Sequence, residues 1–285
     1  MSHPALLDRL APYALGLPDG DPDGALAAHL AAGCERCASD LRELRETAAL
    51  LALGAEPLRT SAELRQRILD RIGGETFSFI LAGAGEWRED GGLETKQLYV
   101  TSDGSATALI SLPVGSRLAQ AYRPGHLGYI IMRGELDGEG MRLGAGDFLP
   151  AAGKVPGRQV AALMDTVLLS VAGSKHAAPL DSPRAVRSAK AAWSPMEPGT
   201  LALPLAGSAE EGIEISLVRM EPGAAAARHR HNWTEEICII SGDCRCEGVE
   251  LGPEDYHRAS SGSTHDAASS VGGCTMAYII RKRER

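Results

Sequence analysis

The sequence predicts an α+β chain of several domains, with a small helical domain at the N-terminus and two all-β domains in tandem behind it. Helix-type periodicity of apolar residues runs through residues 1–74. Beyond residue 74 the chain changes to short β-type runs separated by Gly, Pro and Asp, which is typical of a sandwich or barrel. The β pattern occurs twice. We therefore predict domain bounds of 1–74, 75–178 and 190–285.

The helical domain carries start and stop signals for three helices. Asp21, followed by Pro, predicts a helix start, and Gly33 predicts its end. A second helix is expected over about residues 34–52, because apolar side chains recur there on one face. Thr60 and Glu63 form a capping box, which predicts the start of a third helix.

The β region divides into two segments joined by a linker. The first segment contains five β-type runs, at residues 76–80, 97–101, 106–112, 128–132 and 166–171. Residues 174–195 are rich in Ala, Ser, Pro and Lys, and they are interpreted as a linker. The β pattern then resumes at about Ile213 and continues to Ile280.

The two β segments are repeats of each other. They align without gaps at a constant offset of 108 residues, which places Gly134 opposite Gly242. A Leu-Gly-x-x-Asp-aromatic motif begins at Leu143 and again at Leu251. A whole motif at the same offset is not expected by chance, so we predict two similar β domains.

Composition and charge limit the class of protein. The formal net charge is -8, and an acidic chain argues against direct nucleic-acid binding, in which basic side chains neutralise phosphates. The basic run from Arg281 to Arg285 is interpreted as a solvated tail. We find no apolar run long enough to span a membrane and no secretory signal, so we expect a cytoplasmic protein. Its six cysteines are then expected to be reduced.

A group of potential metal ligands lies in the second β segment. His229 and His231 are two residues apart, so on a strand both side chains point to the same face. Glu235 begins the next strand and can return to the same cavity, and His265 is the natural fourth ligand. Imidazole and carboxylate donors suit zinc, iron, manganese or nickel, and among these we expect zinc.

The spacing of these residues resembles the first sequence motif of the cupin family. The match runs from Gly223 through the two histidines and Glu235 to Gly242. The second motif is looser, since the loop after Gly252 is longer and Ser260 replaces the usual Pro. The resemblance implies a small jelly-roll barrel that holds a divalent metal on His229, His231, Glu235 and His265.

The first β segment keeps the fold signals and lacks the ligands. At the same offset, the counterparts of the four donors are Ala121, Arg123, Leu127 and Gly157. We therefore expect a degenerate cupin without metal, which serves as a packing or dimerising partner. His126 lies nearby, and a single histidine is interpreted as structural or exposed.

Cysteines occur in the second β segment and are absent from the first. They are Cys238, Cys244, Cys246 and Cys274. One interpretation is that they are small buried apolar residues. The alternative is a set of thiols that senses oxidants near the metal. The sequence leaves both interpretations open.

The N-terminal segment holds a second group of potential ligands. His29 lies on a predicted helix, and Cys34 and Cys37 form a Cys-x-x-Cys at the start of the next one. The segment from residue 4 to 74 resembles the zinc-binding anti-sigma domain, and His3 matches an early fourth ligand. This sequence has one residue more than that pattern between the histidine and the first cysteine. A zinc ion, a buried cysteine pair and a redox pair all remain open here.

An anti-sigma domain followed by a cupin resembles the ChrR-type anti-sigma factors. The resemblance implies that the N-terminal helices bind an extracytoplasmic-function sigma factor, and that the cupin is required for the response to oxidative signals such as singlet oxygen. We therefore expect a transcription regulator and not an enzyme, with a homodimer as one expected assembly. The alternative is a metal-dependent cupin enzyme, a dioxygenase or an isomerase.

Overall fold

The computed structural model describes residues 6–17, 20–53, 76–118, 125–138, 141–151, 160–174, 177, 180–181 and 184–282. The chain divides into two compact units, residues 1–59 and 60–285. His3 and the predicted third helix, with Thr60 and Glu63, lie outside the described residues. None of the described helices is long and apolar enough to cross a membrane.

The N-terminal unit contains the helices α1 (Leu7–Ala14), α2 (Ala25–Ala31) and α3 (Glu35–Leu53). The predicted start of α2 at Asp21 is wrong, because a turn precedes the helix and Gly24 is its N-cap. Asp21 still caps the helix, since its carboxylate accepts hydrogen bonds from the backbone N–H groups of residues 26 and 27 at 2.8 and 2.9 Å. Gly33, at φ +86°, ends α2 as predicted.

The C-terminal unit is a β structure whose strands fall into two halves. The first half (residues 76–174) contains β1 (Phe77–Ile80), β2 (Arg88–Asp90), β3 (Leu93–Val100), β4 (Ala106–Leu112), β5 (His126–Arg133), β6 (Glu135–Gly138), β7 (Met141–Gly144), β8 (Phe148–Pro150), β9 (Ala161–Ala162) and β10 (Thr166–Ala172).

The second half (residues 184–282) contains the remaining strands. It contains β11 (Ser194–Glu197), β12 (Thr200–Ser208), β13 (Ile213–Met220), β14 (Ala225–Ala226), β15 (His229–Arg230), β16 (Thr234–Gly242), β17 (Cys244–Cys246), β18 (Val249–Leu251), β19 (Tyr256–Ala259), β20 (Thr264–His265), β21 (Ala268–Ser269) and β22 (Cys274–Arg281).

The large sheets of the two halves have the same strand order. In the first half the order is β2-β3-β4-β10-β5-β8, and in the second half it is β11-β12-β13-β22-β16-β19. The repeated motif builds the same turn twice. The carboxylate of Asp147 accepts a hydrogen bond from the backbone N–H of Gly144, and that of Asp255 accepts one from Gly252.

The two halves exchange their leading segments. Strand β1 is the first strand of the first half in sequence but pairs with β19 at the edge of the second sheet. Val186 lies at the start of the second half in sequence but bridges Phe148 of β8 at the edge of the first sheet. A described residue of the segment predicted to be a linker therefore extends the edge of a sheet. Asp255 and Asp147 anchor the exchanged segments by accepting from the N–H groups of Ala82 and Ser188.

Three apolar clusters stabilise the C-terminal unit. One fills the first half around Leu136, and a second fills the second half around Ile239. A third cluster lies between the two large sheets and takes side chains from both, such as Leu169 and Leu217. Because burial of apolar surface is the main driving force of folding, this shared core binds the halves into one folding unit.

Arg281 also joins the two halves, so the prediction that it belongs to a solvated tail is wrong. Its side chain is 2% exposed and forms an ion pair with Glu236. The guanidinium also donates hydrogen bonds to the carbonyls of Ala172 and Ala106 and to the hydroxyl of Thr107. A charge is buried only where such partners replace water. A run of basic residues in the sequence does not show which acceptors lie nearby.

Candidate metal centre

The structure brings the four predicted ligands of the second half together. Each of His229, His231, Glu235 and His265 offers a donor atom, and these atoms all lie within 4.8 Å of one another. The short strands β15 and β20 pair antiparallel and place His229 opposite His265. The ring centroids of His231 and His265 are 4.4 Å apart. Glu235 reaches the same place from β16.

Local backbone contacts hold His231 in position. Its N–H donates to the carbonyl of Ser263 at 2.9 Å, and its own carbonyl accepts from the N–H of Gly262 at 2.8 Å. Gly262 has φ +84°, a conformation that residues with a Cβ rarely adopt. The loop before His265 therefore fixes both histidines.

The electrostatics of the site favour neutral imidazoles. Burial, and then the neighbouring His229, lowers the pKa of His231 to about 4. Burial, and then the histidines on either side, lowers the pKa of His265 to about 4 as well. Neutral rings keep a lone pair, which is what a metal ion needs. Burial raises the pKa of Glu235, and a hydrogen bond from Tyr278 opposes that shift.

One polar atom at the centre of the group indicates that a cation fits there. His231 is 5% exposed, and its Nε2 is buried without a hydrogen-bond partner. A buried nitrogen without a partner destabilises a fold, and a bound metal ion would remove that cost. Two or three imidazoles with a carboxylate form a donor set that suits a divalent transition metal.

The sequence interpretation missed two side chains that touch the ligands. Tyr278 of β22 donates a hydrogen bond from its hydroxyl to Glu235 Oε2 at 2.5 Å. His257 of β19 is buried, with its Nε2 2.7 Å from Nε2 of His265. The repeat contained a signal for His257. Its counterpart in the first half is the buried Leu149, so a polar residue there points into the barrel.

A cavity of about 340 Å³ opens beside the donor set. Its wall is largely apolar and includes Val218, Ile237 and Met276. Trp233 and Arg230 also line it, and the Trp233 side chain is 46% exposed. The donor atoms therefore face a space large enough for a small molecule.

Comparison with known proteins gives the second half a family. Residues 181–282 match the family model of the ChrR cupin-like domain. Over these residues the second half is similar to the ChrR cupin-like domain, and we call it the ChrR-type cupin. No curated protein sequence matches the chain.

Solved structures show the cupin fold at low sequence identity. A proposed dioxygenase from Nostoc punctiforme PCC 73102 has a TM-score of 0.58 and 13% identity, and the match covers 74% of this chain and 85% of that one. The Escherichia coli protein YlbA has a TM-score of 0.53 and 13% identity, with 76% and 98% covered. A variant of the Bacillus subtilis oxalate decarboxylase OxdC has a TM-score of 0.52 and 15% identity, with 81% and 85% covered. At such identities the likeness shows the fold alone.

The cysteines of the ChrR-type cupin differ in their surroundings. Cys244 and Cys246 line the cavity, and the sulfur of Cys246 is 3.6 Å from His265 Nε2. Cys238 lies in the core between the halves, because successive residues of β16 face opposite sides of the sheet. Burial raises the pKa of the Cys246 thiol to about 12, which keeps it protonated at neutral pH. Hydrogen bonding with Cys244 lowers the pKa of Cys274.

The second predicted ligand group also comes together, in the N-terminal unit. The donor atoms of His29, Cys34 and Cys37 lie within 4.8 Å of one another. His29 is at the end of α2 and the cysteines are at the start of α3, so the turn at Gly33 brings them together. Cys37 is buried in the core of this unit, beside Leu10.

Proposed function

We propose that the chain is an anti-sigma factor whose N-terminal helices sequester an extracytoplasmic-function sigma factor. The ChrR-type cupin responds to an oxidative or chemical signal and changes the affinity of the helices for that partner. The observation that carries the proposal is the match of residues 181–282 to the ChrR cupin-like domain, behind a separate helical unit.

The surface of the N-terminal unit supports a protein partner. Among its described residues the exposed leucines include Leu7 at 38%, Leu15 at 57% and Leu17 at 49%. Apolar side chains on the surface of a small helical unit favour contact with another protein. A zinc ion on His29, Cys34 and Cys37 would link α2 to α3 beside this surface.

The proposed ligand of the ChrR-type cupin is a divalent metal ion, with zinc as the expected ion. His229, His231, Glu235 and His265 would hold it. A bound ion would act as a Lewis acid and would link the three strands that carry its ligands. Tyr278 orients the carboxylate of Glu235. Three of the four donors are buried, and His229 is exposed.

We also propose that the first half is a second cupin without metal ligands. It has the same strand order as the ChrR-type cupin, and the matches to solved cupin structures extend over three quarters of the chain or more. At the aligned sequence position of the donor Glu235 it has the buried Leu127. Its role is to cover one face of the ChrR-type cupin and to supply the exchanged segment.

Co-purification tests the anti-sigma proposal. The tagged full chain is expressed with each extracytoplasmic-function sigma factor of the source genome in turn, and the complexes are separated by gel filtration. One of them should form a stable complex. Replacing Leu15 and Leu17 with Glu should weaken that complex by about tenfold or more, because two charges would enter an apolar contact. Val271→Glu, at a residue that is 85% exposed in the other unit, should leave the complex unchanged.

The second candidate function is a metal-dependent cupin enzyme, a dioxygenase or an isomerase. The cavity beside the donor set favours it, because a catalytic ion needs room for a substrate. Thermal-shift screening of small oxygen-containing ligands on the zinc-, iron- and manganese-loaded chain distinguishes the candidates. A ligand that is then turned over by a chain that binds no sigma factor would favour the enzyme.

A further inference from the structure

The first half contains a cavity of about 170 Å³, to which the proposed function gives no role. It adjoins the apolar cluster of that half, because Leu93 and Ile110 belong to both the cavity wall and the cluster. At ~30 Å³ for each water molecule, the volume is that of about six waters. The cavity therefore suits a molecule of about six non-hydrogen atoms.

Strand pairing shows that this cavity and the one beside the candidate metal centre occupy equivalent places. Ser170 of β10 lines the first cavity, and Tyr278 of β22, 108 residues later, lines the second. The two residues also have equivalent neighbours. Ser170 pairs with Tyr129, and Tyr278 pairs with Ile237, again at an offset of 108. The same part of the sheet is therefore open in both halves.

A register shift places His126 where the second half has a donor. In the second half, Glu235 pairs with Ile280. Ala172 is the counterpart of Ile280, and in the first half it pairs with His126. The shift in register beside Ala172 leaves Leu127, the aligned residue, in the core between the halves. A hydrogen-bonding side chain therefore lines this cavity at the place of a metal ligand.

His126 and Ser170 form a polar patch in the cavity wall. Nδ1 of His126 lies 2.9 Å from the hydroxyl of Tyr129. Because a ring nitrogen has either one proton or one lone pair, this contact uses it. The hydroxyl of Ser170 lies 3.5 Å from the same nitrogen, which is long for a hydrogen bond, and the side chain is 3% exposed. A buried hydroxyl without a good partner is costly, and an oxygen atom of a bound molecule would provide one.

The rest of the wall favours an uncharged molecule. Its apolar part includes Ala106, Ala108 and Ala172. Among the described residues that line the cavity there is no lysine or arginine, and Asp90 supplies a carboxylate. An anion would lose its hydration there without gaining a counter-ion. The described residues of this cavity also offer no group of three His, Cys, Asp or Glu donors that could hold a metal ion.

We propose that the first half binds a small uncharged organic molecule in this cavity. The aliphatic part of the molecule contacts Ala108 and Ile110, and its alcohol or carbonyl oxygen forms a hydrogen bond with Ser170, beside His126. The site needs neither a metal ion nor a sigma factor, so it is independent of the proposed function.

Methyl NMR on the full chain, with ¹³C-labelled alanine and isoleucine, tests this site with n-butanol as the probe. The methyl signals of Ala108 and Ile110 should shift and reach saturation. Butanoate, which has a similar size and a negative charge, should bind about tenfold more weakly or not at all. Ile237 lines the cavity of the second half and reports on binding there. Equal affinity for butanoate would overturn the proposal, as would a shift at Ile237 without a saturable shift at Ala108.

Three variants test the predicted contacts. Ser170→Ala should weaken butanol binding about three- to tenfold, the effect of one hydrogen bond, and should leave the urea midpoint unchanged. Ser216→Ala, in β13 of the second half, is the control and should leave butanol binding unchanged. Ala108→Leu should fill the cavity and abolish the shift at Ile110. Undiminished affinity in Ser170→Ala would contradict the proposed hydrogen bond.

Discussion

The ion pair between Arg281 and Glu236 gives the sharpest test of how the two β halves are joined. Replacing Arg281 with Met keeps much of the side-chain volume and removes the charge. Glu236 is fully buried, and of its partners among the described residues the hydroxyl of Tyr256, which donates to it at 2.9 Å, would remain. Breaking a buried pair by removal of one partner costs about 3–5 kcal/mol, and we expect a loss in that range.

The structure supplies the controls for this test. Arg281→Met combined with Glu236→Leu removes both charges and should recover most of the lost stability, because no unpaired charge is then buried. Lys282→Met breaks the neighbouring ion pair with Glu214, which is exposed, and should cost less than about 1 kcal/mol.

Urea unfolding followed by tryptophan fluorescence measures these changes. The three tryptophans, Trp87, Trp193 and Trp233, all lie in the C-terminal unit, so the signal reports on that unit alone. A loss in Arg281→Met no larger than that in Lys282→Met would refute the reasoning. So would a double variant that is no more stable than the single one.

Three further predictions follow from single residues. Gly242→Ala should lower the free energy of unfolding in urea clearly more than Gly248→Ala. Both glycines have positive φ, which costs a residue with a Cβ about 1–2 kcal/mol. Of these two positions, Gly242 is the one where a Cβ would meet a backbone oxygen, at 2.0 Å. Equal costs would contradict the close approach of the strands. His231→Ala should lower the bound metal, measured by elemental analysis, by one ion per chain, whereas His126→Ala should not. An unchanged metal content in His231→Ala would contradict the assignment of His231 as a ligand. Asp255→Asn should lower the free energy of unfolding by about 1.5–3 kcal/mol, because its carboxylate accepts from two backbone N–H groups; a loss below about 0.5 kcal/mol would show that these bonds are dispensable.

The strands and the repeat could be predicted because their signals are local. The run at 106–112 coincides with β4, and the glycines at offset 108 recur because each pair needs the same backbone. Gly134 and Gly242 both have positive φ and both sit against the backbone of a neighbouring strand. Because a positive φ favours glycine, the same backbone conformation in both halves requires glycine at both positions, and the repeat can be seen in a single sequence.

The pairing of β1 could not be predicted, because periodicity shows that a strand exists and not which strand lies beside it. The sequence pattern places the run at 76–80 in the first β segment, yet this strand extends the sheet of the second half. The same limit applies to residues 174–195. Their composition indicates a linker. Val186 lies at the edge of a sheet because it pairs with Phe148, which is distant in sequence.

In the candidate site, too, some residues could be predicted from local sequence signals and others depend on strand pairing. The donors could be predicted from spacing, because His229 and His231 share a face and the family motif supplies Glu235 and His265. His257 and Tyr278 are isolated polar residues in apolar runs of sequence. Their contacts with the ligands can be seen only in the structure, where β19 and β22 lie beside β16. The burial of Arg281 could not be predicted for a related reason, since its acceptors are far away in sequence.

The most direct test of the central claim is run-off transcription with RNA polymerase and the sigma factor that co-purifies with the chain. Adding the full chain, loaded with zinc, should abolish the transcripts of that sigma factor at about one equivalent and leave transcription from the housekeeping sigma factor intact. Undiminished transcription at saturating concentrations of a folded, metal-loaded chain would contradict the anti-sigma function.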